Sequence, residues 1–170
     1  MPCLIRLVRA DENLVALTAL IQRAYAPHAA KGLRYWGTHQ SAADTATRLA
    51  SGQGFVAEIE GAAVATITVR SPNPASEVPT YRDPDTWSFG QFAVAPECRG
   101  LGIGLALHQH ALGCASAAGG RVMALDTAAT AHGLIAMYQR WGYRICGECD
   151  WRPHTNYLSV LMARPIERFP

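Results

Sequence analysis

The chain has 170 residues, 49% hydrophobic and 16% charged, with a formal net charge of +2. That composition suits one globular domain over residues 1–170, able to bury roughly two thirds of its unfolded surface and to hold a cleft. The mild charge, without any Lys/Arg block, argues against a nucleic-acid partner. No apolar run approaches the roughly 18 residues of a membrane span, and MPCLIRLVRADEN lacks the apolar core of a secretion signal. Five irregularly spaced cysteines fit free thiols in a reducing, cytoplasmic compartment better than a disulfide framework.

The first predicted element is a strand over Cys3 to Ala10. Asp11 is then placed to cap a helix running to about Ala26, with Leu14, Leu17, Leu20, Ile21 and Tyr25 on one face. A second helix covers Ser41 to Ala50. FVAEIEGAAVATITVR reads as a hairpin, Phe55 to Glu60 and Ala62 to Arg70, turning near Glu60 and Gly61. The following stretch, Ser71 to Thr86, holds four prolines and almost no apolar period; so long a connection in a small domain is expected to be mobile or functional. Trp87 to Val94 is a strand that feeds a glycine-rich turn and a helix ending at Gly119 and Gly120. The remainder reads as a strand in RVMALDTA, a helix in AHGLIAMYQRW stopped by Gly142, and two strands, Tyr143 to Glu148 and Asn156 to Ala163. The order β-α-α-β-β-β-α-β-α-β-β predicts an α/β fold, a mixed central sheet flanked by helices.

The glycine turn carries the chemistry. Gly100, Gly102 and Gly104 alternate at the mouth of a helix behind Arg99. A helix start presents unpaired N–H groups and a partial positive charge, and glycines let an anion approach that backbone closely. Arg99 adds a cation suited to a phosphate or to holding the loop. A nucleotide-hydrolysing loop would end in Gly-Lys-Ser/Thr, but Leu105 and Ala106 follow Gly104. A dinucleotide fingerprint would need glycine where Leu105 stands.

The pattern Arg/Gln-x-x-Gly-x-Gly/Ala is met by Arg99, Gly102 and Gly104, preceded by Val94-Ala95-Pro96. It resembles the pyrophosphate loop of the GCN5-related N-acetyltransferase (GNAT) family, which has a Val-x-Pro at that distance. LIAMYQRWGY, with Met137, Tyr138, Gly142 and Tyr143, is similar to the family's Leu-Tyr-x-x-x-Gly-Phe/Tyr segment. The paired motifs span Phe89 to Tyr143; the first half of the chain matches only in topology.

The resemblance implies acetyl transfer from acetyl-CoA directly to an amine, a small molecule or a peptide, in a ternary complex and without a metal. It implies that the backbone of Arg99, Gly100, Leu101, Gly102, Ile103 and Gly104 holds the pyrophosphate. It further implies that Phe92, Ala93 and Val94 pair with the pantetheine arm beside Leu125 to Thr127, that the Val94 amide serves the carbonyl oxygen, and that Tyr138 protonates the leaving thiolate. Tyr25, His28, Tyr35 and Trp36, between the first two helices, would wall the acceptor, and a homodimer is expected because dimers are frequent among such proteins.

Two positions depart from the family. An Asn expected seven residues before Tyr138 is Ala131, with His132 beside it as a substitute contact or a helix start. A Glu expected six before Val94, the family's general base, is Ser88. Glu77, Asp83, Asp85 or a water would have to serve, or the domain is a sensor that binds acyl-CoA without turnover. A dinucleotide-dependent oxidoreductase is the more distant alternative. Cys146 and Cys149 form a CxxC on a predicted strand, where positions three apart face opposite ways, and with His154 they make at most a partial metal site. His108 and His110 diverge by about 200° around their helix, while Cys98 and Cys114 read as packing or loop residues.

Overall fold

The computed structural model describes residues 3–167, so residues 1–2 and 168–170 of the expected domain lie outside the described range. The elements are β1 (Leu4–Leu7), α1 (Leu14–Ala30), α2 (Ala42–Ala50), β2 (Gln53–Ile59), β3 (Ala62–Arg70), α3 (Pro79–Arg82), β4 (Thr86–Val94), α4 (Ile103–Ala117), β5 (Val122–Ala128), α5 (His132–Arg140), β6 (Arg144–Asp150) and β7 (Leu158–Pro165). The expected order holds, with α3 added inside the proline-rich stretch. The seven strands form one mixed sheet in the order β1-β2-β3-β4-β5-β7-β6. β4 and β5 run parallel; the pairs β1-β2, β2-β3, β5-β7 and β6-β7 are antiparallel. The chain divides into two compact units, residues 1–70 with 89–113 and residues 71–88 with 114–170.

In the first unit the core is the inner face of α1. Leu17, Leu20, Ile21 and Ala24 bury themselves against Val56 of β2 and Ala93 and Ala95 at the end of β4, each large side chain contributing about 1.5–3 kcal/mol. The helix starts later than expected because Asn13, not Asp11, is the cap: its side-chain oxygen accepts the Ala16 N–H at 3.0 Å. Asp11 stands in a turn whose next residue, Glu12, is held by Arg6 and by the Arg9 amide. α1 also continues past Ala26 and through Pro27. The proline forfeits one intrahelical bond, and the final turn is closed by Lys31 and Gly32, whose amides donate to His28 and Ala29. α2 opens on a reciprocal cap between Ser41 and Asp44. The β2-β3 hairpin turns through Glu60 (φ 51°) and Gly61 (φ 82°), the left-handed pair that a tight hairpin needs.

In the second unit β5 pairs along its length with β7, from Val122↔Pro165 to Ala128↔Ser159. α5 ends where Gly142 turns left-handed at φ 89° and the Tyr143 amide donates back to the Tyr138 carbonyl. β6 shifts register between Ile145 and Gly147. Cys146 falls in that shift and is exposed, whereas Cys149 is half-buried, so the two thiols have different surroundings.

Candidate active site

The glycine loop belongs to the first unit. β4 is followed by a 3-10 turn, Pro96–Cys98, and by Arg99–Gly102 before α4 begins. Gly100 (φ 76°) and Gly102 (φ 78°) are left-handed, and at each the position a Cβ would occupy has no heavy atom within 4 Å. Glycine there meets a backbone requirement and leaves the neighbouring amides uncovered. Gly104 has another reason: a Cβ would lie 3.2 Å from Val94 Cγ2, so its bareness lets α4 sit close on β4. The first intrahelical bond runs from the Ala106 amide to the Gly102 carbonyl at 3.0 Å. The amides of Ile103, Gly104 and Leu105 therefore have no partner within the helix, and the dipole adds positive character. Arg99 resolves toward holding the loop, since its Nη2 donates to the Ala24 carbonyl of α1 at 2.6 Å.

β4 supplies the adjoining backbone. The Ala95 amide donates to Val64 of β3 at 2.8 Å; since successive amides of an extended strand point to opposite edges, the Val94 N–H faces the other edge. The Phe92 carbonyl accepts the Tyr25 hydroxyl at 3.1 Å. Between them and the strand's start lies a kink, Gln91 at φ 48°, an uncommon conformation for a residue with a side chain. A buried polar cluster holds it. Gln40 Nε2 donates to Gln91 Oε1 at 2.9 Å and to Thr45 at 2.7 Å, Arg48 donates to Gln40 Oε1 at 2.6 Å, and Thr45 meets Thr18 at 2.6 Å.

The residues expected to wall the acceptor make ring contacts. Tyr25, His28 and Tyr35 cluster, with ring centroids 4.8–5.7 Å apart, and Trp36 stacks on His39 at 5.6 Å. Burial first, then the charges of Lys31 and Arg99, hold the His28 imidazole below its ordinary value, which favours the neutral ring at pH 7.

In the second unit Tyr138 is 7% exposed, its ring edge-on to Trp141 and Tyr143, each at 5.8 Å. His132 is the exposed first residue of α5, where Ala131 offers no side-chain cap. Ser88 lies on the part of β4 that pairs with β5, opposite Ala124. Of the suggested carboxylates, Glu77, Asp83 and Asp85 are all exposed; Asp83 accepts the Asp85 amide, and Asp85 pairs with Arg121 at 3.8 Å.

One carboxylate escaped the sequence reasoning. Asp126, half-buried on β5, accepts the Tyr81 hydroxyl at 2.5 Å on Oδ1 and the Trp151 indole N–H at 2.9 Å on Oδ2. Tyr81 comes from α3 in the proline-rich stretch; Trp151 sits between Asp150 and Arg152, which are joined through both carboxylate oxygens at 2.7–2.9 Å. Burial, and then the Asp126 charge, push the Cys149 thiol up to about 12. The signal available in the sequence was a lone acid in the mostly apolar strand VMALDTA.

Residues 14–143 match the model of the Acetyltransferase (GNAT) family. The chain is 33% identical over 160 residues to the S-(2-succino)cysteine N-acetyltransferase of Bacillus subtilis strain 168, covering 93% of this chain and 92% of that protein. It superposes on the ribosomal-protein-S18-alanine N-acetyltransferase of Escherichia coli with a TM-score of 0.72 and 20% identity, over 99% and 97% of the two chains. A GNAT family acetyltransferase from Elizabethkingia anophelis, solved with acetyl-CoA bound, gives 0.67 and 15% identity over 96% and 97%. The two structures show the shared fold, and the family match spans the glycine loop and the Tyr138 segment together. The chain belongs to the GNAT family of acetyltransferases.

Proposed function

We propose that the chain transfers an acetyl group from acetyl-CoA directly to a small, amino-acid-like primary amine, both substrates being held at once. The observation that carries this reading is the uncovered glycine loop: two left-handed glycines with open space at their Cβ positions, leading into helix amides that have no partner within α4. This backbone fits a pyrophosphate. Acetyl-CoA, when bound, supplies an acetyl thioester; the amides of Arg99 to Gly104 would hold its pyrophosphate, and the outward edge of Phe92 to Val94 its pantetheine arm. His132 would replace the missing asparagine contact.

The Val94 N–H, facing away from β3, donates to the carbonyl oxygen as negative charge develops there. Tyr138 gives its hydroxyl proton to the departing sulfur. The amine forms the new N–C bond as the C–S bond breaks, so an ammonium acceptor and the thioester yield an amide, a thiol and a proton released to solvent. Tyr25, His28 and Tyr35 flank the acceptor, and similarity to the B. subtilis enzyme supports an α-amino group as its nucleophile. A cytoplasmic homodimer fits this reading; among the described residues no helix is long and apolar enough to cross a membrane.

Calorimetric titration with acetyl-CoA, beside NAD(H), tests the reading. Native protein is expected to bind acetyl-CoA alone. Gly102→Val, forcing a β-branched side chain into a left-handed position, is expected to weaken binding at least ~10-fold. Native protein that does not bind acetyl-CoA would sink the proposal.

A further inference from the structure

Resting on the acetyltransferase reading, we infer that His28, in the last turn of α1, is the base that takes the proton from the acceptor's nitrogen as the new N–C bond forms.

Its place on the helix carries the inference. Leu17, Leu20, Ile21 and Ala24 are the stripe of α1 that packs on Ala93 and Ala95 at the end of β4. His28 stands four residues after Ala24, one turn further along the same face, where the stripe leaves the core and the side chain is half-buried. The Ala24 carbonyl holds Arg99 at 2.6 Å, so the glycine loop is fastened to the turn of α1 that precedes His28. Tyr25 reaches the strand itself, its hydroxyl donating to the Phe92 carbonyl at 3.1 Å. In an extended strand the N–H and C=O of one residue point to the same edge, and residues two apart share it. The Phe92 carbonyl therefore opens on the edge that carries the Val94 N–H. The imidazole lies 5.7 Å from the Tyr25 ring, centroid to centroid, one aromatic ring away from that edge.

The other carboxylates and histidines of this unit are committed elsewhere. Glu12 and Glu58 bracket Arg6, Glu97 pairs with Arg23, and Asp44 caps α2. Asp11 and Glu60 stand in turns. His39 bonds Thr38, while His108 and His110 lie edge-on to Phe89 and Phe55. The charged and titratable groups that face His28 are Lys31, Arg99, Tyr25 and Tyr35. Burial and the two cations keep the ring neutral at pH 7, with a lone pair on one nitrogen. So weak a base does not strip an ammonium. The acceptor gives its first proton to solvent, attacks the thioester carbonyl as the free amine, and becomes acidic as positive charge develops on its nitrogen. His28 takes that second proton, the C–S bond breaks with its electron pair on sulfur, and the imidazolium, repelled by Lys31 and Arg99, returns its proton to solvent. The thiolate is protonated as proposed above, leaving amide, thiol and one proton in all.

The experiment follows thiol release from acetyl-CoA by the full chain, with S-(2-succino)cysteine, glycine, lysine and spermidine, from about pH 5 to 9, acetyl-CoA binding being checked by calorimetry at each pH. For the acceptor with the highest kcat/KM, the logarithm of kcat/KM in native protein is expected to rise with slope one, from the free-amine fraction. Below the ordinary histidine range it steepens toward two, as the imidazole takes up a proton. His28→Gln is expected to lower kcat about 10²-fold, to keep slope one throughout and to leave the acetyl-CoA Kd unchanged; His28→Asn serves if the glutamine variant does not fold. Free imidazole is expected to restore His28→Ala about 10-fold, a rescue that a purely packing residue would not allow. A native kcat in these variants, a retained steep limb, or a loss confined to KM overturns the inference. Acetyl-CoA binding with no acceptor turned over also overturns it and favours the sensor alternative. Failure of native protein to bind acetyl-CoA removes the underlying reading instead.

Discussion

Tyr138 lies among Trp141 and Tyr143 with its ring almost wholly covered, so exchanging it for phenylalanine deletes one oxygen and keeps the packing. If the hydroxyl protonates the leaving sulfur, Tyr138→Phe lowers kcat about 10²-fold while the acetyl-CoA Kd stays the same. Steady-state kinetics beside calorimetry separate this from a pure packing role, which phenylalanine would preserve and which would leave kcat unchanged. The sequence shows this residue and the three glycines because their signals are local. It presents the glycines as one feature, however, where the structure divides them: Gly100 and Gly102 for backbone angle, Gly104 for the approach of α4 to Val94. Arg99 offered two uses from sequence; only the fold reveals the Ala24 carbonyl beneath it.

Among the elements, α2 and β4 are joined by polar atoms where apolar ones are usual. Gln40 is fully buried and serves Thr45, Gln91 and Arg48 at once. Gln40→Leu would strand those partners and is expected to cost about 3 kcal/mol, seen as a lower urea midpoint at an unchanged slope. No sequence pattern announces this cluster, since Gln40 and Gln91 are 51 positions apart along the chain. The hairpin, by contrast, was legible because Glu60-Gly61 interrupts two alternating stretches. α1 overran its predicted end because packing of Tyr25 and His28 on Tyr35 outweighs the local break at Pro27. α3 went unseen because four residues are too few to display a helical period. Asp126 was hidden likewise, its meaning resting on partners 45 and 25 positions away.

For the molecule as a whole, the motifs legible in the sequence occupied Phe89 to Tyr143, whereas the alignment with the B. subtilis enzyme reaches 93% of the chain. A ligand that binds only the folded state stabilises it by mass action. Acetyl-CoA at a hundred times its Kd is expected to add ~2.7 kcal/mol, raising Tm by about 5–10 °C for a chain of this length; thermal melts with and without ligand check this, and Gly102→Val should abolish the shift. One cost is already built into the native state. Gln91 holds a left-handed angle that glycine would adopt freely, at about 1–2 kcal/mol, and its Nε2 finds no partner among the described residues. Glycine at that position would relax the strand and release it from Gln40. The strained angle and the buried hydrogen bond therefore offset one another: Gln91→Gly would save the backbone cost but leave one Gln40 Nε2–H without its acceptor, so no net gain in heat tolerance is expected from it.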